Sequence, residues 1–215
     1  KTIPLKLFGS FPRFLELRGE VFINKNDFQI INDERKIKRE NLVKIYNDQI
    51  CETQDVSEID KVKKKFSLDY KKLENYSNPR NFASGSLKLL DSSKVAERNL
   101  NCVIYSIHSD NLPFDNHYQN LLEAQKWGFI ISKNLGICHN IIEVMDFVNH
   151  IESIRASLLF EIDGVVIKVN NLQYQELLSH TSKSPRWAMS YKFKSPQAVT
   201  VLNDIKYQIG RTGAI

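Results

Sequence analysis

The sequence predicts an α/β or α+β fold, with antiparallel-rich sheets flanked by helices. Three observations carry that expectation. Short β-branched runs alternate with longer stretches of helical periodicity. No G-x-G-x-x-G follows any strand-like run, which argues against a doubly wound dinucleotide fold. Residues 160–169 (FEIDGVVIKV) and 188–193 (AMSYKF) read as two strands, each carrying a lysine at the end of its apolar run.

The chain has 215 residues, enough to bury a core as one domain or at most two. Hydrophobic residues make up 42% and charged residues 26%, an ordinary soluble, globular composition. The formal net charge of +5 is compatible with a nucleic-acid partner but does not identify one. Cys51, Cys102 and Cys138 are odd in number and widely spaced, with no C-x-x-C. That pattern predicts neither disulfides nor a zinc site, and a reducing, cytoplasmic compartment. No apolar run reaches membrane-spanning length and no signal-peptide pattern opens the chain. The first residue is Lys1, so the sequence reads as a piece of a longer protein.

Residues 14–22 (FLELRGEVF) alternate. Leu15, Leu17 and Val21 point one way, Glu16, Arg18 and Glu20 the other. A half-buried strand follows, with Gly19 at a bulge or a close approach. Asn24 caps a short helix over residues 24–35, with Asp27 three positions on. Residues 36–75 are rich in charge. Ile59, Val62, Phe66, Tyr70 and Leu73 recur at helical spacing, which predicts an amphipathic surface helix. Ser57 with Asp60 reads as its capping box, and residues 48–56 as a mobile connection. Six lysines lie within residues 61–72, and a solvated helix face is their ordinary meaning.

In residues 76–90 (YSNPRNFASGSLKLL), Pro79 is expected to end any preceding helix. Ser84, Gly85 and Ser86 are small enough for backbone to approach a ligand or strand. Residues 101–107 (NCVIYSI) read as a strand, and residues 115–127 and 141–158 as helices. The second begins at Asn140 with Glu143 three residues on. Glu161 and Asp163 precede a turn, and Gly164 permits a bend or a close approach. Val165, Val166 and Ile167 then form a buried strand ending at Lys168. By periodicity alone Lys168 is a solvated strand end. With Lys192 on a second strand, both facing one cleft, a phosphate clamp becomes the sharper reading. Residues 171–178 form a short helix. Residues 200–209 read as a final strand, closed by Gly210, Arg211, Thr212 and Gly213.

EIDGVVIK followed by PRWAMSYKF resembles motifs IV and V of the covalent nucleotidyltransferases: DNA ligases, RNA ligases and capping enzymes. LELRGEVF looks like motif III, and YSNPRNFASGSL resembles a signature of the NAD-dependent DNA ligases. The resemblance implies a DNA ligase or capping enzyme-like, ATP-grasp-like nucleotidyltransferase domain over residues 1–205. Residues 36–75 would be an inserted charged segment, and residues 206–215 the start of an OB-fold. It implies Glu20 at the AMP ribose, Tyr105 stacked on adenine, and Arg80 at phosphate or the NMN side. Lys168 and Lys192 would hold the AMP phosphate, as catalytic groups. Asp163 would orient Lys168 or help hold a divalent metal. Arg155 matches an arginine placed shortly before EIDG. Lys88 stands where the family often has arginine, which keeps the charge but loses the bidentate fork. Arg211 would be a DNA phosphate contact. The implied cofactors are NAD and Mg2+, with zinc expected only in an absent C-terminal part. The implied partner is nicked double-stranded DNA, with no membrane and a monomeric state.

One departure stands out. The family's nucleophile is the lysine of a K-x-D-G motif upstream of motif III, and no K-x-D-G occurs in these 215 residues. The chain by itself is therefore expected not to form lysyl-AMP. Two other readings stay open: an ATP- or GTP-using RNA ligase or capping type, and an inactive fragment that binds nucleic acid.

Overall fold

The computed structural model describes residues 2–52, 55–194 and 198–213. Along the chain come β1 (Glu16–Phe22), α1 (Lys25–Glu52), α2 (Val56–Lys72), α3 (Pro79–Leu87) and α4 (Ser92–Ala96). Then follow β2 (Asn101–His108), α5 (His117–Lys126), α6 (Ile141–Ile154) and a 3-10 turn (Arg155–Ser157). The last elements are β3 (Gly164–Lys168), α7 (Leu172–Leu178) and β4 (Ala188–Lys192). β1 pairs with β2 and β3 with β4, both antiparallel, as two separate two-stranded sheets.

The β1–β2 ladder shifts register between Arg18 and Gly19, and the extra residue on β2 is Tyr105. Gly19 is required there. A Cβ would sit 2.8 Å from Ile104 Cδ1 and 2.9 Å from Cys102 Sγ. Leu17 faces Ile107 and Val21 faces Cys102, so one side of this sheet is apolar. Against it pack Leu121, Ala124 and Trp127 of α5, with Phe129 and Ile131 beyond. A smaller core joins Val148 and Ile151 of α6 to Phe193, just after β4. Asn140 caps α6 as its sequence predicts: its side chain accepts from Glu143 N–H at 3.0 Å, and Glu143 reaches back to His139 N–H at 2.7 Å.

Several expectations need correcting. The helix after Asn24 does not stop near residue 35 but runs to Glu52. Residues 36–52 contain neither glycine nor proline, so nothing breaks it. The connection expected over residues 48–56 is accordingly helical to Glu52; of that stretch, residues 53 and 54 lie outside the described residues. α2 is capped by Asp55, which accepts from Ser57 N–H at 2.8 Å, not by a Ser57–Asp60 box. Tyr46 stacks on Phe66 at 4.1 Å, joining α1 and α2 as a hairpin. Asn32 anchors that hairpin through reciprocal hydrogen bonds with the Tyr76 backbone.

Pro79 begins a helix instead of only ending one. It sits in the first turn of α3, where its missing N–H costs nothing, behind the Asn78 cap. A Cβ on Gly85 would meet nothing within 4 Å, so no close approach explains that glycine. Val166 is 62% exposed, so β3 is half-buried and not a buried strand. The described residues 198–210 form no strand. Their apolar side chains, Val201 and Tyr207 among them, are exposed, and a strand needs a paired neighbour to be stable.

Candidate functional site

Gly164 is where backbone contact is tightest. A Cβ there would lie 2.0 Å from the Tyr191 carbonyl oxygen. The missing side chain lets β4 close on β3, and that pairing sets the register. Lys168 falls opposite Ala188, and Lys192 opposite Gly164. Directly paired residues share a face, and Lys168 and Gly164 are four positions apart. The two lysines therefore project from one face at opposite ends of the ladder, roughly 13 Å apart along the strand.

At the Lys168 end lies a cavity of about 360 Å³ between β2, β3 and the start of α5. Tyr105 and Val166 line it, and both are substantially exposed although apolar, at 46% and 62%. Tyr105 stands out because it is the bulged residue of β2. Lys168 reaches in from β3. Its Nζ donates to the Tyr105 carbonyl at 2.8 Å and lies 5.0 Å from the Tyr105 ring centroid. Burial pushes its pKa down from 10.5 to about 8. His117, first in α5, also lines the cavity; burial, then the Lys168 charge, lowers it from 6.5 to about 4. Leu121 and Ile131 line its apolar side, and Ile137 and Cys138 also border it. The polar groups around the cavity are few, and among the described lining residues none is acidic.

The Gly164 end carries different chemistry. Asp163 pairs with Arg80 of α3 at 2.9 Å, both side chains largely exposed. Asp163 therefore holds Arg80 and does not orient Lys168, which lies five residues further along an extended strand. The Asp163 carbonyl accepts from Phe193 N–H at 2.9 Å, which brings the residue after Lys192 beside it. Arg155 braces the same end. Its Nε donates to the Ile162 carbonyl at 3.0 Å and its Nη1 to the Lys194 carbonyl at 3.4 Å, with Phe193 beneath the guanidinium at 5.5 Å.

The remaining expected residues are more dispersed. Glu20 is exposed on β1, opposite Val103, which lines the cavity. Lys88 is the exposed C-cap of α3, eight residues from Arg80, about 12 Å along a helix axis. Arg211 sits in an exposed turn and does not line the cavity; Ala214 and Ile215, the last residues of the expected OB-fold opening, lie outside the described residues. His117, Val166 and Asn170 line the cavity without having been singled out in the sequence. The tandem Asn170-Asn171 after β3 was the available signal, since asparagines at a strand exit commonly bond to neighbouring backbone. Among the described residues no group of three or more His, Cys, Asp or Glu is gathered to hold a metal ion. No helix is long and apolar enough to cross a membrane.

Comparison with known proteins agrees with this arrangement. Residues 50–196 match the family model for the NAD-dependent DNA ligase adenylation domain. The whole chain is 43% identical over 215 residues to a DNA ligase of Flavobacterium psychrophilum. It is 40% identical over 216 residues to one of Bacteroides fragilis and 38% identical over 221 residues to one of Buchnera aphidicola. It spans only 27%, 28% and 27% of those relatives' lengths, respectively. By the extent of the family match and the identity along its whole length, the chain belongs to the NAD-dependent DNA ligase adenylation domain family.

Proposed function

We propose that this chain is the adenylate-holding part of an NAD-dependent DNA ligase that seals nicks in duplex DNA. The observation that carries the reading is the division of labour along one strand face. An aromatic and apolar cavity with one buried cation lies at the Lys168 end. A charged cluster of Arg80, Asp163 and Lys192 lies at the Gly164 end. A mononucleotide has the same polarity, with a flat base at one end and a phosphate at the other.

In this reading the base enters between Tyr105 and Val166, where a flat face meets an apolar one. Lys168, placed beside Tyr105, donates to an acceptor of the base. That corrects the role its resemblance suggested, because its ammonium lies at the far end of the ladder from Lys192. Glu20 accepts from ribose hydroxyls, a charge-assisted bond. Lys192 and Arg80 face the phosphate, Asp163 holds Arg80, and Arg155 fixes the backbone that carries them. Lys88 adds positive charge to the phosphate side, and Arg211 contacts a DNA phosphate. The domain is read as ATP-grasp-like and related to capping enzymes over residues 1–205, with an OB-fold opening at residues 206–215.

The chemistry proposed for the parent protein runs in three steps. A lysine from outside this chain attacks the AMP phosphorus of NAD; a P–N bond forms, a P–O bond breaks and NMN leaves. AMP passes to the 5′-phosphate of a nick. The 3′-hydroxyl then attacks and AMP departs. The cations on this chain stabilise charge that grows on phosphoryl oxygens. Magnesium belongs to the expected reaction, but the described residues gather no ligand set for it, so no step is assigned to it.

The test is intact mass spectrometry of the parent protein after incubation with NAD and magnesium. A gain of one AMP with release of NMN is expected, and Lys168→Ala should abolish it. Normal adenylation of that variant would sink the assignment of the cavity. A gain with ATP in place of NAD would move the protein to the ATP-using branch.

A further inference from the structure

One buried titratable side chain of the cavity has no part in the chemistry above. His117 is the first residue of α5 and is 8% exposed. Its backbone N–H donates to the Asn170 carbonyl at 2.8 Å, and the Asn170 side chain accepts from Tyr118 N–H at 2.9 Å. Leu172 N–H donates to the Asp115 carbonyl at 3.0 Å, and Asn116 bridges to Asn171. The start of α5 is therefore stitched to the chain leaving β3, two residues beyond Lys168. On its other side the imidazole interacts with the Tyr105 backbone. The Tyr105 carbonyl is also the acceptor for Lys168 Nζ, at 2.8 Å.

We propose that His117 is a positioning residue that fixes the Lys168 ammonium against Tyr105 within the cavity. A lysine has a flexible four-carbon stem, and at a cavity edge its head gains by swinging into water. No carboxylate lines the cavity among the described residues, so charge pairing there does not hold it. What holds it is the closed circuit of Tyr105 carbonyl, Lys168, Asn170 and His117. The imidazole suits this place because it is neutral at neutral pH. Burial, then the Lys168 charge, push it down to about 4, so the cavity holds one cation and not two. The other titratable group nearby is His108 of β2, lowered first by burial and then by Arg18, with Glu16 acting in the opposite sense. Tyr105, Tyr118 and Cys138 complete the titratable side chains lining the cavity.

The consequence for nucleotide binding rests on the adenylate reading above; the positioning of Lys168 does not. The experiment therefore uses two readouts on the parent protein. The first is competitive labelling of Lys168 with acetic anhydride across pH, followed by peptide mass spectrometry with Lys192 as internal reference. The second is calorimetric titration with AMP. His117→Leu is expected to let Lys168 swing outward, raising its labelling midpoint from about 8 by about tenfold in acidity, with Lys192 unmoved. AMP affinity should fall about tenfold in the same variant. His117→Gln keeps a neutral N–H donor and should bind AMP within about twofold of the parent. An unchanged Lys168 midpoint in His117→Leu would overturn the proposal. Should that variant not fold by circular dichroism, Asn170→Ala decides, since it cuts the tie to Tyr118; its Lys168 midpoint should rise, and an unmoved midpoint overturns the proposal. Failure of every version, parent included, to bind AMP would refute the nucleotide reading, while the labelling midpoint would still decide the part played by His117.

Discussion

Behind β1–β2 stands a core of eight buried residues, from Cys102 to Ile131, gathered on α5. Behind β3–β4 stand three: Val148, Ile151 and Phe193. Both sheets have two antiparallel strands, and each contains a glycine that admits its neighbour. The first sheet is held by burial, the second by directional contacts. Lys168 bonds to Tyr105, Arg155 braces two carbonyls, and Phe193 N–H is bonded to the Asp163 carbonyl. Val166 and Met189 remain exposed, at 62% and 69%. The sheet with the weaker core carries Lys168 and Lys192. Stability is thus concentrated in one half of the molecule and candidate chemistry in the other.

The two glycines give the largest test of that contrast. Gly164→Ala forces a Cβ against backbone atoms, 2.0 Å from the Tyr191 carbonyl oxygen and 2.9 Å from Lys192 Cα. Backbone cannot yield without separating the strands, so a loss above about 3 kcal/mol is expected, at the severe end for overpacking. Gly19→Ala meets Ile104 Cδ1 and Cys102 Sγ, side-chain atoms that can shift, and then the Val103 carbonyl oxygen at 3.0 Å. About 1–3 kcal/mol is expected there. Urea denaturation of both variants checks the order, and a Gly19 variant that is the weaker of the two would reverse the comparison.

Truncations in the two cores come next. Leu121 is 2% exposed and sits centrally among the eight, so Leu121→Ala should cost about 3–5 kcal/mol. Ile151 is 3% exposed, but its smaller cluster can collapse around the gap, so Ile151→Ala should cost about 2–3 kcal/mol. Chemical denaturation measures both. Equal losses would mean that the second core is as tightly packed as the first.

Acid and base should also separate the groups. His117 has a folded-state pKa of about 4 against 6.5 for an ordinary imidazole. The unfolded chain then binds more protons between those values, so its contribution is present above pH 6.5 and is lost as pH falls toward 4. Lys168, at about 8 against 10.5, works in the same direction in a higher window. Its buried charge opposes folding below pH 8, and that opposition fades as pH rises from 8 to 10.5. Melting temperature measured against pH should lose its alkaline rise in Lys168→Met and its acid fall in His117→Gln. Nucleotide affinity, which uses the charged lysine, should move oppositely and weaken above about pH 8.

Much of this was legible where local chemistry decides the outcome. Asn140 with Glu143 announced the start of α6, and Gly19 and Gly164 marked tight backbone contacts before any coordinates were consulted. The two lysine-ended strands were visible from their alternation. What stayed hidden depends on partners distant in sequence. α1 runs past residue 35 because no breaker stops it and because Tyr46 finds Phe66 twenty residues on. Residues 200–209 alternate like a strand, yet no ladder pairs with them among the described residues. The lysines were read as one clamp because periodicity gives the face of a residue and not its position along a ladder. Only the Gly164–Lys192 register puts them at opposite ends. His117 is ordinary in sequence and acquires meaning only where β2, β3 and α5 converge.

The smallest stability effect is expected at the pair whose functional effect should be large. Arg80 and Asp163 are 77% and 73% exposed, so their 2.9 Å contact is shared with water and screened by salt. Exposed ion pairs of this kind contribute about 0–1 kcal/mol. Asp163→Asn keeps the shape of the side chain and the backbone bond to Phe193 N–H, and should change stability by less than about 1 kcal/mol. It does release the Arg80 guanidinium, whose planar fork must be aimed to hold two phosphate oxygens at once. Adenylation of the parent protein by NAD should therefore slow by at least about tenfold while the denaturation midpoint stays in place. If midpoint and adenylation rate both stay unchanged, Asp163 is no more than a surface charge and the Gly164 end of the ladder is not the phosphate end.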